Sequence, residues 1–208
     1  MLSALAAAGV ALAMITAPQA APSDNPPTDR ITIDVVTVNG SGCPAGTTAV
    51  AVSSDNTAFT VTYSDYTAQV GDGAAPTDMR KNCQLALRLH IPQGFTYAIA
   101  QADYRGFAHL ASGAEGLQQA SYYIQGTSPT HYVKNPVGGP YSDNWQFTDK
   151  TDMAELVYAP CGEERNLNVN TELRVYKGDS GNASSFMSMD STDAGVSTKY
   201  HFHWKKCP

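Results

Sequence analysis

Leu167-Asn168-Val169-Asn170-Thr171-Glu172-Leu173-Arg174-Val175 decides the fold class. The odd-numbered residues are apolar or threonine, and the even-numbered ones are polar. A period of two places the first set on one face of an extended chain and the second on the other. The run is therefore a strand with one buried and one wet side. The alternation recurs along the chain. Leu85, Leu87, Leu89 and Ile91 alternate with Ala86, Arg88 and His90, and Phe95, Tyr97 and Ile99 follow a Pro92-Gln93-Gly94 turn. Near the C-terminus, Val196, Thr198, Tyr200, Phe202 and Trp204 alternate with Ser197, Lys199, His201 and His203. Shorter runs at Ile31 to Val36, Thr48 to Val52 and Phe59 to Tyr63 add the β-branched and aromatic residues that strands favour.

Asn39-Gly40, Asp55-Asn56, residues 113–116 and residues 178–181 separate the runs as turns. Many short strands between regular turns predict an all-β fold, a two-sheet antiparallel β-sandwich of jelly-roll or immunoglobulin-like type. Thr148 to Val157 reads as the one candidate helix, with Asp149, Asp152 and Glu155 suited to an N-terminal turn, or else as a strand. Gly126 to Asp149 reads as the longest loop, rich in Gly, Pro, Tyr and Asn, and long loops are often functional.

The 208 residues carry 13 Lys and Arg against 19 Asp and Glu, a net charge of −6 with only 15% charged residues. An acidic, charge-poor chain is a poor electrostatic partner for nucleic acid. Beyond the N-terminal segment no apolar run is long enough to cross a membrane. Residues 1–21 read as a secretory signal peptide: small and apolar residues from Leu2 to Ile15, then Thr16-Ala17-Pro18-Gln19-Ala20-Ala21. Residues 22–30, with three prolines, read as a flexible lead, and residues 31–208 as a single secreted domain.

Cys43, Cys83, Cys161 and Cys207 are an even set without metal-ligand spacing, so an exported chain uses them as two disulfides. Of three connectivities, Cys43–Cys83 with Cys161–Cys207 is favoured, because each bond then closes a loop within one half of the chain.

Several motifs in order resemble a known family. They are Arg80-Lys81-Asn82-Cys83-Gln84-Leu85 continuing through Leu89 to Phe95, Ala102-Asp103-Tyr104-Arg105-Gly106, Pro160-Cys161-Gly162 with Arg165-Asn166-Leu167-Asn168, and Trp204-Lys205-Lys206-Cys207. The chain resembles the secreted proteins catalogued as domain of unknown function 4360, and its signal region is similar to that of bacterial, actinomycete-like members. The resemblance implies secretion and a cysteine-bonded domain. It implies no activity, cofactor or site residue.

Candidate sites rest on residue chemistry. His201 and His203 lie two apart on a strand, so both imidazoles point to one side and are the candidate metal ligands, with His90 or Glu172 as a third. Asp143, Asn144, Asp149 and Asp152 offer hard oxygens for calcium, without the EF-hand spacing. Tyr132, Tyr141 and Trp145 are the candidate binding residues, an aromatic platform for sugar rings or a protein groove. No nucleophile elbow is present, and Asp103 with Arg105 reads as an ion pair fixing a turn. No catalytic residue and no cofactor are expected. The leading expectation is a non-enzymatic extracellular binding or surface-associated module with a glycan or protein partner. The alternatives are a secreted hydrolase acting on extracellular polymer, or a metal-binding protein using the His-x-His strand.

Overall fold

The computed structural model describes residues 25–128, 130–189 and 198–208. The expected signal peptide, and Val196 and Ser197 of the last alternating run, lie outside the described residues. The strands are β1 (Thr32–Asn39), β2 (Thr48–Val52), β3 (Ala58–Tyr63), β4 (Thr67–Val70), β5 (Arg80–His90) and β6 (Phe95–Leu110), then β7 (Glu115–Ile124), β8 (His131–Gly138), β9 (Tyr141–Lys150), β10 (Asn166–Tyr176), β11 (Ser185–Ser188) and β12 (Thr198–Lys206). No helix occurs among the described residues.

Two antiparallel sheets face each other. The five-stranded sheet runs β1-β5-β10-β7-β8. The other is organised on β6. Its first half pairs with β12, which leads to β3 and β2, and its second half pairs with β11, which leads to β4. Strand β9 lies along the opposite edge of β6, from Gln101 to Leu110. The inward set is the one that the period of two singles out: Leu85, Leu87 and Leu89 on β5, Leu167, Val169, Leu173 and Val175 on β10, Phe59, Val61 and Tyr63 on β3, and Tyr200, Phe202 and Trp204 on β12. An irregularity interrupts it on β6. The β6–β12 register passes from His201↔Gln101 to Phe202↔Ile99, leaving Ala100 unopposed. This bulge shifts the inward phase of β6 from Tyr97 and Ile99 to Ala102 and Tyr104.

Both disulfides join as expected, Cys43 to Cys83 and Cys161 to Cys207. The lead segment is tethered at its end. Asn56 donates from Nδ2 to the carbonyls of Pro27 and Asp29, both at 2.8 Å, and Pro27 is buried.

Two expectations are corrected. Residues 126–149 are not one loop but include β8 and most of β9, two consecutive strands on the facing edges of the two sheets. Pro136 fits there because β8 pairs only with β7, so the missing N–H costs no ladder bond on the open edge. Nor does Thr148 to Val157 form a helix. The end of β9 takes its first residues, and the following segment is stitched to the edge of β6 instead. Thr151 N donates to Ala100 O at 3.0 Å and Ala159 N to Tyr97 O at 2.9 Å, while Thr96 Oγ1 donates to Ala159 O.

Tyr97 is buried, and its hydroxyl has no hydrogen-bond partner among the described residues. Desolvation alone pushes its phenol above the usual range. A buried hydroxyl without a partner opposes folding. Tyr97→Phe is therefore expected to raise stability by roughly 1 kcal/mol. Urea denaturation reads this, and a fall in the midpoint would contradict it.

Candidate functional site

Strand order places uncharged polar residues in a row on the outer face of the five-stranded sheet. Register pairs Tyr132 of β8 with Ser121 of β7, Ser121 with Asn170 of β10, Asn170 with Gln84 of β5, and Gln84 with Asn39 of β1. The next row holds Lys134, Gln119, Glu172 and Asn82. A depression of about 210 Å³ lies over these rows. Its side chains are already held in place. Tyr132 Oη donates to Gln119 Oε1 at 2.9 Å, and Gln119 Nε2 donates to Glu172 Oε1 at 2.9 Å. Glu172 also accepts from Arg80 and Arg174, and these bonds leave its carboxylate largely buried. The hydrogen bond to Glu172 is the main cause raising the Arg174 guanidinium above its ordinary value. Tyr132, 54% exposed, closes the row at the sheet edge with Lys134 Nζ 5.5 Å from its ring centroid.

A second recess opens between the sheets, where β8 and β9 face each other. His131 of β8 and Asp149 of β9 meet there at 2.7 Å. The Tyr122 ring stacks on the imidazole at 4.8 Å, and its hydroxyl is 3.1 Å from Thr151 Oγ1. Burial, with a smaller push from the Asp149 charge, raises the Tyr122 phenol to about 12. Beside this group lies a cleft of about 220 Å³. Ile99, Ile124, Val157 and Leu167 make it apolar, and Thr130 and Glu155 also line it.

A family model described as "Domain of unknown function (DUF4360)" matches residues 29–207. The chain belongs to this family. An "Uncharacterized secreted protein" of Arthroderma benhamiae is 34% identical over 191 residues, covering 89% of this chain and 78% of that protein. Disulfides are kept in oxidising surroundings, and this relative is a secreted protein. The DUF4360 chain is extracellular. A relative from this organism lends no support to the expected bacterial source. Among solved structures, TmCBM61 in complex with beta-1,4-galactotriose matches with a TM-score of 0.28 and 10% identity, over 86% of this chain and 88% of that one. The GH31 alpha-xylosidase Xac1773 from Xanthomonas citri matches with a TM-score of 0.18 and 11% identity, over 83% of this chain and 19% of that one. Likeness at these scores carries no functional weight.

The DUF4360 fold separates the residues expected to act together. Tyr132 stands on the polar sheet face. Trp145 is 4% exposed, stacked on Phe147 at 5.4 Å, and with Tyr141 borders a shallow recess between β8 and β9. Trp145 turns inward because it lies opposite Gly106 on β6, where the missing side chain leaves room for the indole. His201 and His203 do share the outer side of β12, but each has its own partner. His201 Nε2 is 2.7 Å from Asp103 Oδ2, and His203 Nδ1 is 2.7 Å from Tyr158 Oη. The proposed third ligands stand in the other sheet. His90 pairs with Asp34 at 2.8 Å, and Glu172 is bound by its arginines. No group of three potential ligands converges among the described residues.

Asp103 does not pair with Arg105 and does not end a strand, since β6 continues to Leu110. Burial disfavours its charge, but hydrogen bonds from Thr148, His201 and Gln101 outweigh this and hold the carboxyl below its ordinary value. Of the calcium candidates, Asp149 is taken by His131, and Asp143 accepts from the Asn144 backbone N–H at 2.7 Å. The residues that reading the sequence alone passed over are Gln84, Gln119, Ser121 and Asn170 on the sheet face and His131 in the cleft. Their signal was the polar phase of each strand, which shows the face but not its neighbours.

Proposed function

We propose that the protein is a non-enzymatic extracellular binding module, exported by its N-terminal signal, in which residues 31–208 act as one domain. Its ligand is a neutral polyhydroxylated polymer, an extracellular glycan, laid across the outer face of the five-stranded sheet. The observation that carries this reading is the row Tyr132–Ser121–Asn170–Gln84, which offers hydrogen-bonding amides and a hydroxyl across four strands and ends in an exposed aromatic ring. Amides can donate and accept at once and so suit sugar hydroxyls. The exposed ring offers an apolar surface for the C–H face of a pyranose. Because the Tyr132–Gln119–Glu172–Arg80 chain is bonded before any ligand arrives, little side-chain freedom is lost on binding. The carboxylates Asp103 and Glu172 stand in different sheets and are occupied by their own partners, so the hydrolytic alternative gains nothing from them.

Affinity electrophoresis through gels carrying soluble polysaccharides, with co-sedimentation on insoluble ones, tests the proposal. At least one matrix is expected to retain the protein. Tyr132→Ala and Asn170→Ala are each expected to weaken retention on the order of tenfold, or about 1.4 kcal/mol. Trp145→Phe, away from this face, is expected to leave retention unchanged. Equal retention of wild type and both face variants would refute the assignment, and so would passage through every matrix.

A further inference from the structure

The apolar cleft beside the His131–Asp149 pair is separate from the sheet face, since His131 and Tyr132 are successive residues on opposite sides of one strand. We propose that it is a second binding site, selective for a small organic ammonium ion with an apolar body. Four features lead there. Ile99, Ile124, Val157 and Leu167 form an apolar lining that suits a hydrocarbon group. The cleft is small for a ligand pocket, which fits one ring or a short chain rather than a polymer. Tyr122, whose ring is turned inward onto His131, also lines it, and aromatic rings attract cations. Finally, the charges around it favour a cation. The described lining residues include no Lys or Arg. Glu155 is exposed at the rim and has no ion-pair or hydrogen-bond partner for its carboxylate among the described residues. Asp149, by contrast, is already committed to His131.

An anion would meet the Glu155 charge with nothing to balance it. A neutral molecule would use the apolar lining but not the carboxylate. An ammonium ion uses both, with Thr130 and Thr151 available as further acceptors for its N–H groups. The wall carrying Glu155 and Val157 is fixed rather than free. Beyond these residues, Tyr158 is held by His203 and lies under Lys205 Nζ at 4.0 Å, and Cys161 is bonded to Cys207. The histidine of the expected metal pair thus positions a wall of this cleft.

The test titrates the full secreted protein with 2-phenylethylamine, 2-phenylethanol and phenylacetate, following methyl NMR signals of Ile99, Ile124, Val157 and Leu167. The amine is expected to shift these signals and to bind at least tenfold more tightly than either control. Glu155→Gln, at an exposed position, is expected to remove that preference while leaving the weak binding of the alcohol. Tyr132→Ala is expected to bind the amine like wild type, which keeps this site distinct from glycan retention. Equal binding of the three compounds would overturn the proposal, as would shifts confined to other residues, an amine preference surviving Glu155→Gln, or no shift at millimolar amine.

Discussion

Replacing Cys161 and Cys207 together with alanine is expected to cost about 4 kcal/mol of stability, the chain-entropy value for a loop of this length. The bond spans a sequence separation of 46. A loss of this size corresponds to a fall in melting temperature of roughly 8–16 °C for a domain of this size. The effect has a definite location. The disulfide ties the irregular segment after β9 to the residue that follows β12. That segment otherwise holds to β6 through Ala159, Thr96 and Thr151, and to β12 through Tyr158. Cys207 itself donates its N–H to Gly94 O at 2.8 Å. Without the bond, the Ala159 amide is expected to exchange its hydrogen much faster, while amides near Cys43 and Cys83 keep their protection. Calorimetry and hydrogen exchange read the two parts. An unchanged melting temperature, or a loss of protection spread evenly over the fold, would contradict this account.

Gly106→Ala is expected to destabilise the fold by about 3 kcal/mol or more, at the upper end of what overpacking usually costs. A Cβ at this position would lie 1.9 Å from the Ser188 carbonyl oxygen and 2.4 Å from Trp145 Cζ2. Neither neighbour yields cheaply. The carbonyl belongs to β11, which pairs with both β4 and β6, and the indole is packed against Phe147. Denaturant unfolding gives the stability. Tryptophan emission gives the cause, because Trp145 is expected to move toward water and redden while Trp204, deep in the core, stays as it is. A variant with wild-type stability and emission would mean that β11 and the indole do not press on this position.

Much of the fold was legible because burial imposes a period of two. Leu85 to Ile91 and Leu167 to Val175 declared their strands, and the cysteine spacing led to the observed pairing. β8 and β9 escaped because they are edge strands. Their inward residues, such as Asn135 and Asp149, are partly polar, Pro136 interrupts the first, and the periodic signal is therefore weak. The helix expected at Thr148 to Val157 rested on acidic spacing suited to an N-terminal turn. Tertiary hydrogen bonds to the open edge of β6 decide that segment instead. The site was legible only in part. Tyr132 stood among the candidate binding aromatics and is exposed, and the polar phase of β10 was plain in Asn168, Asn170, Glu172 and Arg174. The neighbours of that phase come from the order β5-β10-β7-β8, which joins segments far apart in the chain and leaves no local trace. For the same reason the sequence could not show that Asp103 would occupy His201, or that Tyr158 would occupy His203.

β8 is one residue thick, with the imidazole of His131 turned into the protein and the phenol of Tyr132 turned out. Shifting the pairing of β8 against β7 by a single residue would invert both, carrying the tyrosine inside and stranding the histidine in solvent. Length changes that preserve both surfaces must therefore leave this register in place, which makes substitution within the strand the freer route by which relatives can diverge in what they recognise.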